Sequence, residues 1–289
     1  MSEVRGIEIR RLADRDVAEA MRLKEAAGWN QTEEDWRRLL HLGPRGCFAA
    51  TADGRLVATT TTTSYGRGLA WVGMVLVDPE FRRRGIATAL VRAALDGLEA
   101  EGALAVKLDA TPEGAHVYEG LGFEAELRIE RWVGTAGQRT SEPDTPGGAA
   151  PPQLFDKVLE FDRRAFGADR SELLRALADE ACVTPSGTVS GEGRLRGYAL
   201  ARRGSKAAYV GPVVAEEAKT AAFLLDDLLS RLGAGQVYVD LNTTFEGGAR
   251  ELAARGFIKQ RVLLRMRRGE KSSAGTSRSV FAIAGPEVG

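Results

Sequence analysis

The stretch Val72–Leu98, VGMVLVDPEFRRRGIATALVRAALDGL, decides how the chain is to be read. Its opening, Val72-Gly-Met-Val-Leu-Val77, is a short continuous apolar run that fits a strand covered on both faces. Asp78-Pro79 ends that strand, because proline has no N–H to give to a sheet ladder. Further on, Ile86, Leu90, Val91, Ala94, Leu95 and Leu98 recur at helical spacing, so a helix starts near Gly85 and lays one apolar stripe on the sheet. The first amides of such a helix have no partner within it and sit at the positive end of its dipole, which makes them a site for phosphate. Gly85 puts no side chain in a ligand's way, and Arg82, Arg83 and Arg84 add three positive charges. A pyrophosphate fits this junction. A Walker A loop does not, since no Gly-Lys-Ser/Thr follows. Taken alone, the three arginines also read as a solvated basic helix start.

The rest of the chain sets the bounds. At 289 residues, 44% of them hydrophobic, it is long enough for two ordinary domains. Forty basic and forty acidic residues cancel, so neither a nucleic-acid footprint nor a basic membrane-binding character is visible. Two cysteines, Cys47 and Cys182, and two histidines, His41 and His116, suggest neither a disulfide framework nor a metal site. The first sixteen residues carry charges where a signal peptide needs its apolar core, and no apolar run is long enough to span a bilayer. A cytoplasmic protein is expected.

Ile7–Leu12 alternates as a first strand, and Asp14 is positioned to cap a helix ending near Gly28. Trp29-Asn30-Gln31 follows, and Thr32 with three acids behind it caps a second helix. Asp53-Gly54 marks a tight hairpin between two strands. Thr59–Thr63 is a run of five threonines on the second of them, for which β propensity is a sufficient explanation. After Val72–Leu98, Ala103–Ala110 reads as a strand, Thr111-Pro112 as a helix start with Tyr118 two turns in, and Leu121-Gly122-Phe123 as that helix's end before a strand to Trp132. Gly134–Pro152 is rich in glycine and proline and reads as a linker, giving domains over 1–134 and 153–289 with a linker over 135–152.

The second half repeats the first. Ala208–Val214 echoes Trp71–Val77, and Gln236–Asp240 with a helix and Gly256-Phe257 echoes Ala105–Asp109 with Gly122-Phe123. From Val77 to Asp109 is 32 positions, and from Val214 to Asp240 only 26, the loss falling on the arginine and glycine loop. Ala215-Glu216-Glu217 stands there instead, and acidic side chains repel a pyrophosphate. Leu252 takes the place of Tyr118. The apolar Val280–Ala284 is suited to a last strand against this half.

Arg82-x-x-Gly85-x-Ala87 after a strand and proline, followed in order by Tyr118-Glu-Gly-Leu-Gly-Phe123, resembles the GCN5-related N-acetyltransferases over residues 7 to about 133. Phe161–Arg170 looks like the opening of a degenerate second domain in some of them. The resemblance implies an α/β (α+β) fold of tandem domains, each a mixed, mostly antiparallel sheet flanked by helices. It implies an acyltransferase that moves the acetyl group of acetyl-CoA, its co-substrate, to a primary amine of a small molecule, with no metal. The coenzyme's pyrophosphate would be held by Arg82, Arg83, Arg84, Gly85, Ile86, Ala87 and Thr88, and its pantetheine arm by the backbone of Met74, Val75, Leu76 and Val77. Tyr118 would be the acid that protonates the departing thiolate, and Trp29 and Asn30 would border the acceptor; Trp71, on the preceding strand, is a further aromatic available to line that pocket. The family often carries a glutamate as base on or near the strand, and Trp71–Val77 has no acid. Asp109, at the end of a strand, is the best candidate for base or for holding a cationic amine, ahead of Glu130 and His116; capping the next helix is its other reading. A non-catalytic acyl-CoA-binding sensor is the rival function.

Overall fold

Local chemistry sets the elements of the first half. The structure, a computed structural model, describes residues 6–66, 68–137, 147–149, 154–272, 274 and 278–289. Strand β1 (Glu8–Arg11) leads through a short 3-10 turn into α1 (Val17–Ala26), then come α2 (Glu33–Leu42), β2 (Phe48–Ala52), β3 (Arg55–Ser64) and β4 (Ala70–Val77). After these follow α3 (Ile86–Ala100), β5 (Ala105–Ala110), α4 (Ala115–Glu119) and β6 (Glu124–Ala136). The cap at α1 differs from expectation: Asp16, not Asp14, accepts from the amide of Ala13 (2.9 Å) and pairs with Arg10. Thr32 caps α2 as expected, in a reciprocal box with Asp35. Asp53 (φ +49°) and Gly54 (φ +79°) are both left-handed, as a type I′ hairpin demands. The helix after Thr111 starts late, because the Thr111 hydroxyl accepts from Gly114 N in a turn (3.2 Å); Tyr118 therefore lies one turn in, not two.

The second half carries β7 (Gly147–Ala149), α5 (Phe155–Phe166), α6 (Ser171–Asp179), β8 (Ser186–Val189), β9 (Leu195–Arg202) and β10 (Ala208–Ala215). It ends with α7 (Ala218–Arg231), β11 (Gly235–Asn242), α8 (Gly248–Ala254), β12 (Ile258–Gly269) and β13 (Val280–Ala282). Most of the expected linker, 138–146 and 150–152, lies outside the described residues, while Thr135 and Ala136 belong to β6.

Two compact units result, and each takes in a strand end from the other half of the chain. Unit 1 holds residues 1–126 together with 265–272 and Val288; unit 2 holds 127–264, 273–287 and Gly289. In unit 1 the strands run β1, β2, β3, β4, β5 and then the end of β12, with β1 to β4 antiparallel in turn and β4 parallel to β5. Helix α3 buries Ile86, Ala89, Leu90, Val91, Ala94, Leu95 and Leu98. Each larger side chain in that stripe gains about 1.5–3 kcal/mol over exposure. In unit 2 the order is β6, β11, β13, β10, β9, β8, β7. Its Phe161–Arg170 segment has a structural role. Arg170 donates twice to Asp162 (2.9 and 2.8 Å), the Tyr198 hydroxyl donates to the same carboxylate, and all three side chains are buried.

Candidate active site

The candidate site forms where β4 breaks its own regularity. Met74 has φ +48°, and the β3–β4 register shifts between Thr59 and Thr61, so β4 bulges by one residue there. The Thr59 hydroxyl donates to the carbonyl of Met74 (2.8 Å) and fixes the bulge from the neighbouring strand. On its other side β4 pairs with β5 only at Ala70 with Val106 and Trp71 with Lys107. Past those pairs the two parallel strands diverge, and Met74–Val77 runs along the opening.

That opening leads to the arginine loop. Asp78 accepts from Glu80 N (3.1 Å) and pairs with Arg22 and Arg55 (2.7 and 2.8 Å). Burial pushes its carboxyl up, but these bonds hold it below the usual range. The loop then turns through left-handed Arg83 (φ +61°) and Gly85 (φ +78°), and Gly85 is the N-cap of α3. A β carbon on Gly85 would meet no atom within 4 Å, and the first turn of α3 holds no acid. Arg82, Arg83 and Arg84 are exposed. Arg82 donates to the carbonyl of Val77 (3.2 Å), while Arg84 donates to that of Glu80 (3.0 Å) and lies over the Phe81 ring. Unspent amides, open space and a positive field at one helix start suit a pyrophosphate, so the residues present fit the co-substrate.

Tyr118 packs edge-on against Phe123, with ring centroids 6.0 Å apart. Burial raises its phenol well above the ordinary value, so it keeps its proton at neutral pH.

Asp109 requires a correction. Its carboxylate takes two bonds from Arg265 (2.8 and 2.7 Å), and neither side chain has exposed surface. A carboxylate neutralised in this way is neither a free base nor a free anion for an ammonium group. Trp71 is also corrected: it is fully buried, with the Arg265 guanidinium 4.5 Å from its ring centre, so it does not line a pocket. Trp29 is half-buried and Asn30 buried in the connection between α1 and α2. His116 is exposed on α4. Glu130 lies in unit 2, where it accepts from Lys259 (3.2 Å).

Arg265 escaped the sequence reading, though a signal was there. It stands eight residues after Phe257, as Arg131 stands eight after Phe123. In unit 2 Arg131 grips Asp240 in the same two-bond manner (2.8 and 2.5 Å), and the Tyr209 hydroxyl donates to that carboxylate (3.0 Å). Each repeat's aspartate is thus held by the arginine of the other repeat.

Unit 2 has no opening comparable to that of unit 1. Its parallel strands β10 and β11 also pair only at their start, Ala208 with Val237 and Tyr209 with Tyr238, but β13 fills the space beyond. Ala282 pairs with both Val213 and Leu241, and Ile283 N donates to the carbonyl of Asp240 (3.1 Å). The expected last strand therefore exists and lies between β10 and β11. Glu216 and Glu217 pair with Arg194 and Arg196, and Leu252 is buried.

A family model described as Acetyltransferase (GNAT) family matches residues 15–123, and a second, described as Acetyltransferase (GNAT) domain, matches 158–282. The chain belongs to the GCN5-related N-acetyltransferases. It carries two such domains in tandem and is an acetyl-CoA-dependent acyltransferase. It is 28% identical over 230 residues, 79% of each chain, to the uncharacterized N-acetyltransferase YitH of Bacillus subtilis. Its fold is similar to that of a protein described as an acetyltransferase from Pyrococcus horikoshii, with a TM-score of 0.81 at 21% identity over 100% of this chain and 98% of the other. It is also similar to a tandem GNAT protein from the clavulanic acid biosynthesis pathway, with a TM-score of 0.61 at 17% identity over 92% and 99%. Among the described residues no helix is long and apolar enough to cross a membrane.

Proposed function

We propose that this acetyltransferase moves the acetyl group of acetyl-CoA to a primary amine of a small molecule, in the cytoplasm, at one site per chain. The observation that carries the reading is the divergence of β4 from β5 at the Met74 bulge, opening directly onto the Gly85 helix start. Acetyl-CoA supplies an activated thioester. Arg82, Arg83, Arg84 and the amides from Gly85 to Thr88 would hold its pyrophosphate, and the backbone of Met74, Val75, Leu76 and Val77 its pantetheine arm.

The same strand would place backbone N–H groups near Met74 and Val75 where charge develops on the acyl oxygen. Tyr118, protonated at neutral pH, would give its proton to the departing sulfur. Trp29 and Asn30 would border the acceptor. Asp109 becomes a positioning residue: with Arg265 it fixes the end of β5 beside Trp71 rather than taking a proton. The base is then water-borne or the amine arrives neutral.

The sensor reading gains one observation, the loss of Asp109 as a base. An amine library assayed for acetyl-CoA-dependent thiol release separates the two. Turnover with a primary amine, reduced in Tyr118→Phe, supports the enzyme; tight acetyl-CoA binding with no turnover of any amine supports the sensor.

A further inference from the structure

A cavity of about 520 Å³ opens in unit 2 between the start of α5, the end of α6 and strand β9. Its volume lies within the range of roughly 300–1,000 Å³ that small-molecule sites occupy. Phe155, Val158, Ala178 and Leu200 give it apolar walls, and Asp156, Arg175 and Asp179 bring three charges to it. All of these residues belong to unit 2. The three charged residues are exposed, while Phe155 and Ala178 are half-buried, so the cavity is open to solvent.

The two helices are fastened unequally, which leaves room for the cavity. At the turn between them, Arg170 donates to Asp162 and the Tyr198 hydroxyl of β9 donates to the same carboxylate, so that end is held on the sheet. At the other end the charged link is Arg175 with Asp156, 3.8 Å apart, with side chains 59% and 91% exposed. An ion pair so long and so well solvated contributes next to nothing. It neither closes the cavity nor commits either charge.

The charges at the mouth do not balance. Asp156 lies in the first turn of α5, where the helix dipole favours an acid, and the helix alone accounts for it. Asp179 is the last residue of α6, at the end that favours a cation, and the last turn of α6 holds no basic residue. Asp179 has no bonded partner among the described residues. Two carboxylates against one guanidinium leave an excess of one negative charge. Arg175 shows what the mouth attracts, since its guanidinium lies 5.9 Å from the centre of the Phe155 ring, within reach of a cation–π contact, and faces Asp156. A cation there meets an aromatic face and a carboxylate together.

We infer that this cavity is a separate ligand site, for a monoamine with an apolar body and no carboxylate. The body would fill the space between Phe155, Val158, Ala178 and Leu200, and the ammonium would lie at the mouth beside Asp179. A monocation cancels the excess charge, whereas a zwitterion leaves it and an anion adds to it. The site binds without catalysing, because unit 2 has β13 between β10 and β11 and Glu216 and Glu217 where unit 1 has its arginine loop. The inference stands apart from the acetyl-transfer reading and does not need it.

The test titrates the full chain by calorimetry with 2-phenylethylamine, 2-phenylethanol and 3-phenylpropionate, which share a phenylethyl body and differ in charge. The amine should saturate a site. The alcohol should bind about 3- to 30-fold more weakly, as expected from losing one exposed ion pair and one cation–π contact, and the propionate should not bind measurably. Ala178→Phe, which fills the cavity from a half-buried position, should abolish amine binding, and the exposed change Asp179→Asn should weaken it by about 2- to 5-fold. Circular dichroism and the thermal midpoint report whether each variant is folded, and if Ala178→Phe is not, the Asp179→Asn titration decides. Absence of saturable binding, as when water alone fills the cavity, overturns the inference. So does equal affinity for amine and alcohol, or an amine site that the variants leave unchanged, as one at the acceptor place of unit 1 would be.

Discussion

Arg265 lies in the second repeat of the sequence but belongs to unit 1, so replacing it should damage the first site. Arg265→Met removes both bonds to Asp109 (2.8 and 2.7 Å) and the cation over Trp71. Both charged side chains are fully buried, so solvent cannot compensate the carboxylate left behind. Removing one partner of such a pair costs roughly 3–5 kcal/mol, and losing the stack adds about 1 kcal/mol. At about 2–4 °C per kcal/mol for a chain of this size, the thermal midpoint should fall by roughly 10–20 °C. Adding Asp109→Leu, which removes the stranded charge, should recover most of that loss, because an apolar pair of similar volume is close to neutral in energy. The assay is calorimetric unfolding of the four proteins of this double-mutant cycle, alongside acetyl-CoA titration of each. An unchanged midpoint in Arg265→Met, or additive losses in the double variant, would refute the argument that the two repeats complete one another.

Tyr118→Phe should lower turnover by roughly 10²-fold while leaving acetyl-CoA affinity nearly unchanged, measured by steady-state kinetics and calorimetry with a responsive amine. Because burial raises the Tyr118 phenol above its unfolded value, the native state holds that proton more tightly; its contribution to stability is complete below about pH 10 and declines as pH rises further, which urea unfolding at several alkaline pH values checks. Burial likewise pushes the Cys47 thiol up to about 11, so iodoacetamide at pH 8 should leave Cys47 unmodified in the folded protein, as mass spectrometry of the labelled peptides would report. Gly85→Val forces a β-branched residue to φ +78° and should lower stability by about 1–2 kcal/mol and weaken acetyl-CoA binding far more; denaturant unfolding and titration of the same sample separate the two.

Much of the first half's fold around the candidate site was legible because its signals are local. The Val72–Leu98 run, the Asp53-Gly54 turn and the Thr32 cap each act within a few residues, and each formed as its chemistry dictates. What was not legible depends on distant pairing. Asp109 and Arg265 are 156 positions apart, and since both repeats carry the same aspartate and arginine, the pattern cannot say which copy pairs with which. The same exchange puts residues 127–136 into unit 2, so an isolated fragment from residue 153 would lack a strand of its own sheet. A shorter loop and its reversed charge argued that the second repeat binds no coenzyme. The structure adds a steric reason, since β13 lies where a pantetheine arm would run, and only three-dimensional pairing reveals that.

The central claim is that the chain holds one acetyl-CoA, in unit 1. Calorimetric titration of the full chain and of its Gly85→Val variant tests it most directly. The account predicts one saturable site in the native protein and none at the same concentrations in the variant, with the fold retained. A stoichiometry of two, or a site that survives Gly85→Val unchanged, would contradict it.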